Sequence, residues 1–251
     1  MILAWIGALM VGLSLGILGS GGSILTVPLL IYLVGEEEKV AIAESLGIVG
    51  AIAFTGFIPY AFKKQVHWKS VILFGLPGMA GSFLGAYTSN YVSATVQLLI
   101  FAGVMLLAAV MMFRDSKPKE KSVQTSGLPW WFIALEGLAV GVLTGLVGVG
   151  GGFLIVPGLV LLGGLSMHLA VGTSLAIIAM QSITGFIKYL DVLDNLNLSV
   201  DLHLMLVFGL IGAVGSIIGR TVGAKISSQG LKKGFAVFLV LMGAYIIFKN
   251  I

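Results

Sequence analysis

Residues 16–30 read GILGSGGSILTVPLL, and residues 145–159 read GLVGVGGGFLIVPGL. A constant offset of 129 residues lays one on the other, so that Gly16, Gly19, Gly21, Gly22 and Pro28 meet Gly145, Gly148, Gly150, Gly151 and Pro157. The register holds without a gap from Gly12 on Gly141 to Tyr60 on Tyr189, and it takes in Ser45 and Leu46 on Ser174 and Leu175. Thr55, Gly56 and Phe57 fall on Thr184, Gly185 and Phe186 in the same frame. Further on the offset grows to 134, placing Gly75, Gly78, Gly81, Ser82 and Gly85 on Gly209, Gly212, Gly215, Ser216 and Gly219. Self-similarity of this extent indicates one design written twice.

The surroundings of these stretches are apolar. Of 251 residues 58% are hydrophobic and only 10% charged, too few ionic groups to coat a water-soluble globule of that size. The chain therefore reads as one polytopic membrane protein, all-α, because lipid offers no partner to open backbone groups and no alternating barrel pattern is present. Zero cysteines exclude disulfides, thiolate metal sites and cysteine nucleophiles. The net charge of +4 is spread over short loops, which argues against a nucleic-acid footprint. Residues 1–18 lack the basic start and small-residue cleavage site of a secretory signal and read as part of the mature chain.

Each half opens with two apolar stretches, 2–18 then 23–34 in the first and 129–147 then 152–163 in the second, parted by a glycine cluster. Three longer runs follow in each, near 40–62, 71–88 and 96–113, then 169–190, 202–222 and 235–248. The short second stretch, about 18 Å at 1.5 Å per residue, falls below a full crossing of about 30 Å. The expected organisation is a first transmembrane repeat over 1–113, a cytoplasmic linker over 114–128 and a second repeat over 129–251. Basic loops collect on the cytoplasmic side. Lys63, Lys64 and Lys69 fill one loop of the first half, Arg114, Lys117, Lys119 and Lys121 the linker, and Arg220, Lys225, Lys232 and Lys233 a loop of the second. The loop carrying Asp191, Asp194 and Asp201 is acidic. Only an odd number of crossings per half puts every basic loop inside. The halves thus read as inverted repeats with both termini outside, in a cell inner membrane, each opening with a re-entrant hairpin or two short spans.

Inverted repeats with broken helices are the mark of secondary transporters, whose site lies where the repeats meet. The clusters Gly19, Ser20, Gly21, Gly22, Ser23 and Gly148, Val149, Gly150, Gly151, Gly152 can turn tightly. Each then exposes a helix N-terminus whose first N–H groups lack intrahelical acceptors and favour an anion. Two such ends pointing at one another would cradle a small anion without a buried lysine or arginine. Gly148–Gly152 is no dinucleotide fingerprint, since Phe153 replaces its last glycine, and neither cluster leads into a P-loop lysine.

The residues opening the following helix extend the candidate site. Glu44 with Ser45 and Thr173 with Ser174 occupy matching places, and their hydroxyls can cap N–H groups or donate to an oxyanion. Gln181, with Ser182, Thr55 and Thr184, would line the route as a neutral donor. A carboxylate at lipid depth is costly enough to suggest a task, so Glu44 and Glu136 are candidate proton carriers. The glycines from Gly75 to Gly85 and their partners read as close helix packing. Lys188 and Arg220 read as side chains snorkelling to headgroups, and His67, His168 and His203 lack metal spacing. No cofactor is expected, and an intramembrane enzyme finds no nucleophile with its base.

The paired stretches quoted above, with AVGTSLAII at 170–178, resemble the TauE/SafE family of anion transporters, also known as the TSUP family. The resemblance covers almost the whole chain. It implies a bacterial or archaeal inner-membrane permease for small sulfur-containing or organic anions, sulfite and sulfonates among them, coupled to the proton gradient. The first copy departs from the second at Ser20 for Val149, Ser23 for Gly152 and Glu44 for Thr173. The expected partners are thus a small anion, the bilayer and protons. A passive anion channel using the same helix ends is the alternative.

Overall fold

The computed structural model describes residues 2–19, 21–114, 130–148, 152–161 and 163–250. Ser20, Val149, Gly150, Gly151 and nearly all of the expected linker lie outside the described residues. Ten α-helices follow one another, with no strand among the described residues. They are α1 (Ile2–Leu18), α2 (Gly21–Leu29), α3 (Glu38–Phe62), α4 (Trp68–Thr88), α5 (Ala94–Arg114), α6 (Trp130–Val147), α7 (Gly152–Leu161), α8 (Met167–Asn195), α9 (Leu202–Gly223) and α10 (Ser228–Asn250). Four segments, Glu38–Phe62, Trp68–Tyr91, Met167–Asn195 and Leu202–Gly223, are long and apolar enough to cross a membrane. The protein is a polytopic helical membrane protein, and large apolar side chains such as Leu206, Leu210 and Phe62 point outward where lipid would receive them.

The helix boundaries have local causes. Gly19 ends α1 and Gly148 ends α6 with matching positive φ, 74° and 75°, a conformation that costs a residue with a Cβ about 1–2 kcal/mol. In both, the glycine N–H still bonds the carbonyl four residues back, Gly19 to Leu15 and Gly148 to Thr144. A five-residue π-helical turn, Leu30–Val34, prolongs α2, and Gly35 at φ 91° stops it. Asp201 caps α9 by accepting from the N–H groups of His203 and Leu204, and His67 holds the same place before α4 through its ring nitrogen and Ser70.

Packing follows the repeat. α1 lies on α9 and α6 lies on α4, in each case with glycines at the seam. A Cβ at Gly12 or Gly16 would collide with the backbone of Gly212 or Ser216, and one at Gly141 or Gly145 with that of Gly78 or Ser82. The packing role read for Gly81, Gly85, Gly215 and Gly219 is therefore seen directly, since a Cβ there would strike the neighbouring backbone, whereas at Gly78 and Gly212 it would meet the side chains of Gln181 and Ile52. The equivalent helices α3 and α8 pack on each other antiparallel, Gly47 facing Phe186, Gly50 facing Ser182 and Tyr60 facing Gly172. Against this pair α1 and α2 form a hairpin, Gly22 beside Leu15 and Leu29 over Gly7.

Candidate functional site

The two glycine turns are built alike and held by the opposite half. Ser174 on α8 donates its hydroxyl to the Gly19 carbonyl at 2.9 Å, as well as to Val171 one turn back. Ser45 on α3 does the same for the Gly148 carbonyl and for Ile42. Both serines are fully buried, so the carbonyls that helix ends leave orphaned find partners without water. Each hydroxyl has one proton, which these carbonyls already engage. What remains toward the helix openings is backbone.

The structure does not bring the two turns together at one point. In the antiparallel register of α3 and α8, Ser45 lies seven residues after Glu38, the start of α3, and Ser174 seven residues after Met167, the start of α8, at the opposite end. Their separation along the axis is roughly 20 Å at 1.5 Å per residue. The reason is the length of the descending limb: α1 has 17 residues and α6 has 18, about 26 Å of helix. Each limb passes the middle before its glycine turn. The facing pair of helix ends expected from the sequence is thus two separate stations, at opposite depths.

Glu44 and Thr173 share a structural task. Glu44 Oε1 accepts from the Asp201 N–H at 2.7 Å, just where α9 begins, and Thr173 Oγ1 accepts from the His67 N–H at 2.9 Å, just where α4 begins. Thr173 also donates to Leu169. Both groups are fully buried, and Glu44 Oε2 has no hydrogen-bond partner among the described residues. Glu136 sits on α6 with its carboxylate over Gly158 of α7, where a Cβ would strike Oε1. The first half solves the same contact with Leu29 over Gly7, an apolar cap in place of an acid.

Between the stations buried polar side chains gather around Gln181. Gln181 is fully buried on α8; its Oε1 accepts from Thr144 Oγ1 at 3.3 Å, and its backbone carbonyl accepts from Ser82 at 2.8 Å. Gln181 Nε2 and the Ser182 hydroxyl have no partner among the described residues. The repeat equivalents of Thr144, Gln181 and Ser182 are Leu15, Ile52 and Ala53, which make a dry counterpart. Of the cluster residues, Gly22 packs α2 on α1, Gly21 and Gly152 open α2 and α7, and Ser23 is buried in α2.

The two ends of the bundle differ. At the end carrying the basic loops a cavity of about 280 Å³ opens between Tyr60, Lys63, Gln65, His168 and Arg220, with Ile17 and Val171 on its wall. Val171 is also the residue against which Gly19 packs, so this hollow adjoins the first glycine turn. Arg220, expected to snorkel, is half-buried, and its side chain also makes contacts within the cavity. Its guanidinium lies 4.7 Å from the Tyr60 ring centre, one amino group is 3.5 Å from Gln65 Oε1, and Nε is buried without a partner among the described residues. At the opposite end Lys39, the repeat equivalent of His168, donates to the carbonyls of Ser89 at 2.6 Å and Val92 at 3.0 Å. Ala86 stands there in the place of Arg220, and buried Gln97 bonds the same Ser89 carbonyl. That end is filled. Among the described residues no group of three metal-ligating side chains occurs.

Comparison with known proteins agrees with this architecture. The family model described as sulfite exporter TauE/SafE matches residues 4–246. The chain belongs to the TauE/SafE family. It is 30% identical over 246 residues to a probable membrane transporter protein of Xylella fastidiosa (strain 9a5c), covering 96% of this chain and 92% of that one. It is 28% identical to the probable membrane transporter protein YunE of Bacillus subtilis (strain 168), covering 94% and 93%. A probable membrane transporter protein of Methanocaldococcus jannaschii is also 28% identical, covering 95% and 94%. These relatives are named as probable membrane transporter proteins, in keeping with a polytopic helical bundle.

Proposed function

We propose that this TauE/SafE chain is a secondary transporter that moves a small sulfur-containing or organic oxyanion, of the sulfite or sulfonate kind, across the inner membrane by alternating access. The substrate class follows the family description. The observation that carries the mechanism is the reciprocal clamp: Ser174 holds the Gly19 turn and Ser45 holds the Gly148 turn, each serine belonging to the half that does not own the turn. Rocking one half against the other loads one clamp and relaxes the other, because the two stations lie at opposite depths.

In this reading the halves are inverted repeats, both termini are outside and the basic loops face the cytoplasm. The anion is received by main-chain N–H groups at the start of α2, from Ser20, Gly21, Gly22 and Ser23, and at the start of α7, from Val149, Gly150, Gly151 and Gly152, while Gly19 and Gly148, whose own N–H groups stay bonded within α1 and α6, make the turns. Ser45 and Ser174 position those turns, and Thr173 beside Ser174 holds the start of α4. Gln181, with its spare amide donor, guides the anion between them. Glu44 or Glu136 carries the coupled proton: Glu44 keeps one buried oxygen unpaired among the described residues, and Glu136 sets its carboxylate against Gly158 of α7.

Proteoliposomes loaded with purified protein test this. Accumulation of radiolabelled sulfite above its own gradient under an imposed pH difference is the expected result. Flux that stops at equilibrium whatever the pH difference would replace the carrier by a passive channel.

A further inference from the structure

We propose that the cavity under Arg220 is a docking site for a single small oxyanion, distinct from both glycine turns and placed to load or receive the solute on the side of the basic loops. The site itself stands on its own lining; only its role as a loading station rests on the transport reading.

The lining has one electrostatic character. Lys63 and Arg220 bring basic side chains, His168 adds an imidazole, and Tyr60, Gln65 and Thr221 add neutral polar groups, with no carboxylate on the wall among the described residues. The Lys63 backbone N–H closes the end of α3 on the Pro59 carbonyl, and its side chain belongs to the cavity lining. Arg220 has a ring beneath it: its guanidinium lies over Tyr60, and Tyr60 is in turn tied by its hydroxyl to the Gly16 carbonyl at 3.2 Å. A planar donor fork with a buried Nε–H and a long 3.5 Å bond to Gln65 is under-satisfied. Burial makes such a vacancy costly, and a carboxylate-like or tetrahedral oxyanion meets it in two parallel hydrogen bonds. A volume of about 280 Å³ admits one such group with some water.

Position gives the site its role. Ile17 and Val171 form the inner wall, and the Gly19 turn packs on Val171, so an anion released from Arg220 inward arrives at the first station. The equivalent place in the other half has Ala86 for Arg220 and a Lys39 spent on two carbonyls, so the duplicated design carries this feature once. The same tetrahedral chemistry could be presented by a lipid phosphate, because the cavity opens near headgroup level.

The test is equilibrium binding of sulfite and sulfate, by calorimetry, to the full chain in nanodiscs of neutral lipid and of phosphatidylglycerol, beside flux in proteoliposomes. Saturable binding in neutral lipid that weakens at least tenfold in Arg220→Gln and two- to fivefold in Lys63→Gln is expected, with Arg220→Lys between. Arg220→Gln should raise the KM for anion on the basic side at least fivefold and leave maximal flux within twofold. Unchanged melting in the ligand-free variants shows that folding is not the cause. Unaltered binding and KM in Arg220→Gln would overturn the site while leaving the transporter reading intact. Arg220-dependent binding in a protein that moves no anion would sustain the site and remove the transport reading. No saturable binding of free oxyanion in neutral lipid, with phosphatidylglycerol retained by wild type and lost from Arg220→Gln, would assign the cavity to a headgroup and overturn the proposal.

Discussion

The amide nitrogen of Gln181 occupies the space that a Cβ on Gly78 would need. Two residues on different helices are thereby fitted to each other: the missing side chain on α4 is what lets a buried glutamine stand upright beside Thr144. Gly78→Ala must swing the amide away and break that bond. Because the obstacle is the far end of a flexible side chain, melting should fall by only a few degrees while flux drops at least tenfold. Gly145→Ala is the contrast. Its methyl would meet the backbone of Ser82 and Ala86, and overpacking of that kind costs about 1–3 kcal/mol. Thermal unfolding in detergent, read beside flux, separates the two; equal melting losses would argue against Gln181 having any part in the route.

Ser45→Ala and Ser174→Ala each remove one hydroxyl from a buried carbonyl, which should cost about 1 kcal/mol apiece. The sites are roughly 20 Å apart, so the stability losses should add within about 0.5 kcal/mol in the double variant. Flux should not add, since either clamp alone limits the cycle. A double variant whose flux is the product of the single effects would mean that the clamps are packing details.

Glu44 bears two separable duties, and paired variants divide them. Glu44→Gln keeps an acceptor for the Asp201 N–H, so the start of α9 should hold and melting should change little. Glu44→Ala leaves that N–H orphaned and should destabilise by about 1–3 kcal/mol. If Glu44 is the coupling group, Glu44→Gln abolishes accumulation driven by a pH difference and spares anion exchange at equilibrium. Normal driven accumulation in Glu44→Gln transfers the task to Glu136, whose Glu136→Gln variant should then show the same phenotype.

Gly19→Ala and Gly148→Ala meet two penalties at once. A left-handed φ costs about 1–2 kcal/mol for a residue with a Cβ, and the added methyl presses on the backbone of Val171 in one case and Ile42 in the other. Both variants should melt earlier by similar amounts, and both should lose flux. Retained flux in either would remove the turn from the mechanism.

Much of the fold was legible because glycine and proline punctuate it. Gly19 and Gly148 announce breaks, the repeat makes each announcement twice, and the predicted limits of α1, α3 and α7 fall within a few residues of those observed. The packing glycines were equally plain, since spacing of three or four residues puts them on one face of a helix. What could not be read is where a turn stops along the membrane normal. That depends on how deeply α1 and α6 slide past α3 and α8, a matter of interhelical register that no single segment encodes. Arg220 misled for a related reason: its place near a helix end suggests a headgroup partner, whereas Tyr60, distant in sequence on α3, stacks on it. The pairing of Glu44 with the Asp201 N–H was hidden likewise, because a backbone donor leaves no mark in the sequence.

Lys39 fastens the far end of the bundle by two carbonyls. Prising that end apart strands an ammonium in a greasy crevice until water rushes in, so opening there and flooding there are one event. Drying agents and osmotic stress should therefore trap the protein with the opposite mouth exposed. Trimming this residue to Lys39→Met would loosen the bolt, a shift that accessibility labelling from each side would register as traffic leaking toward the acidic face.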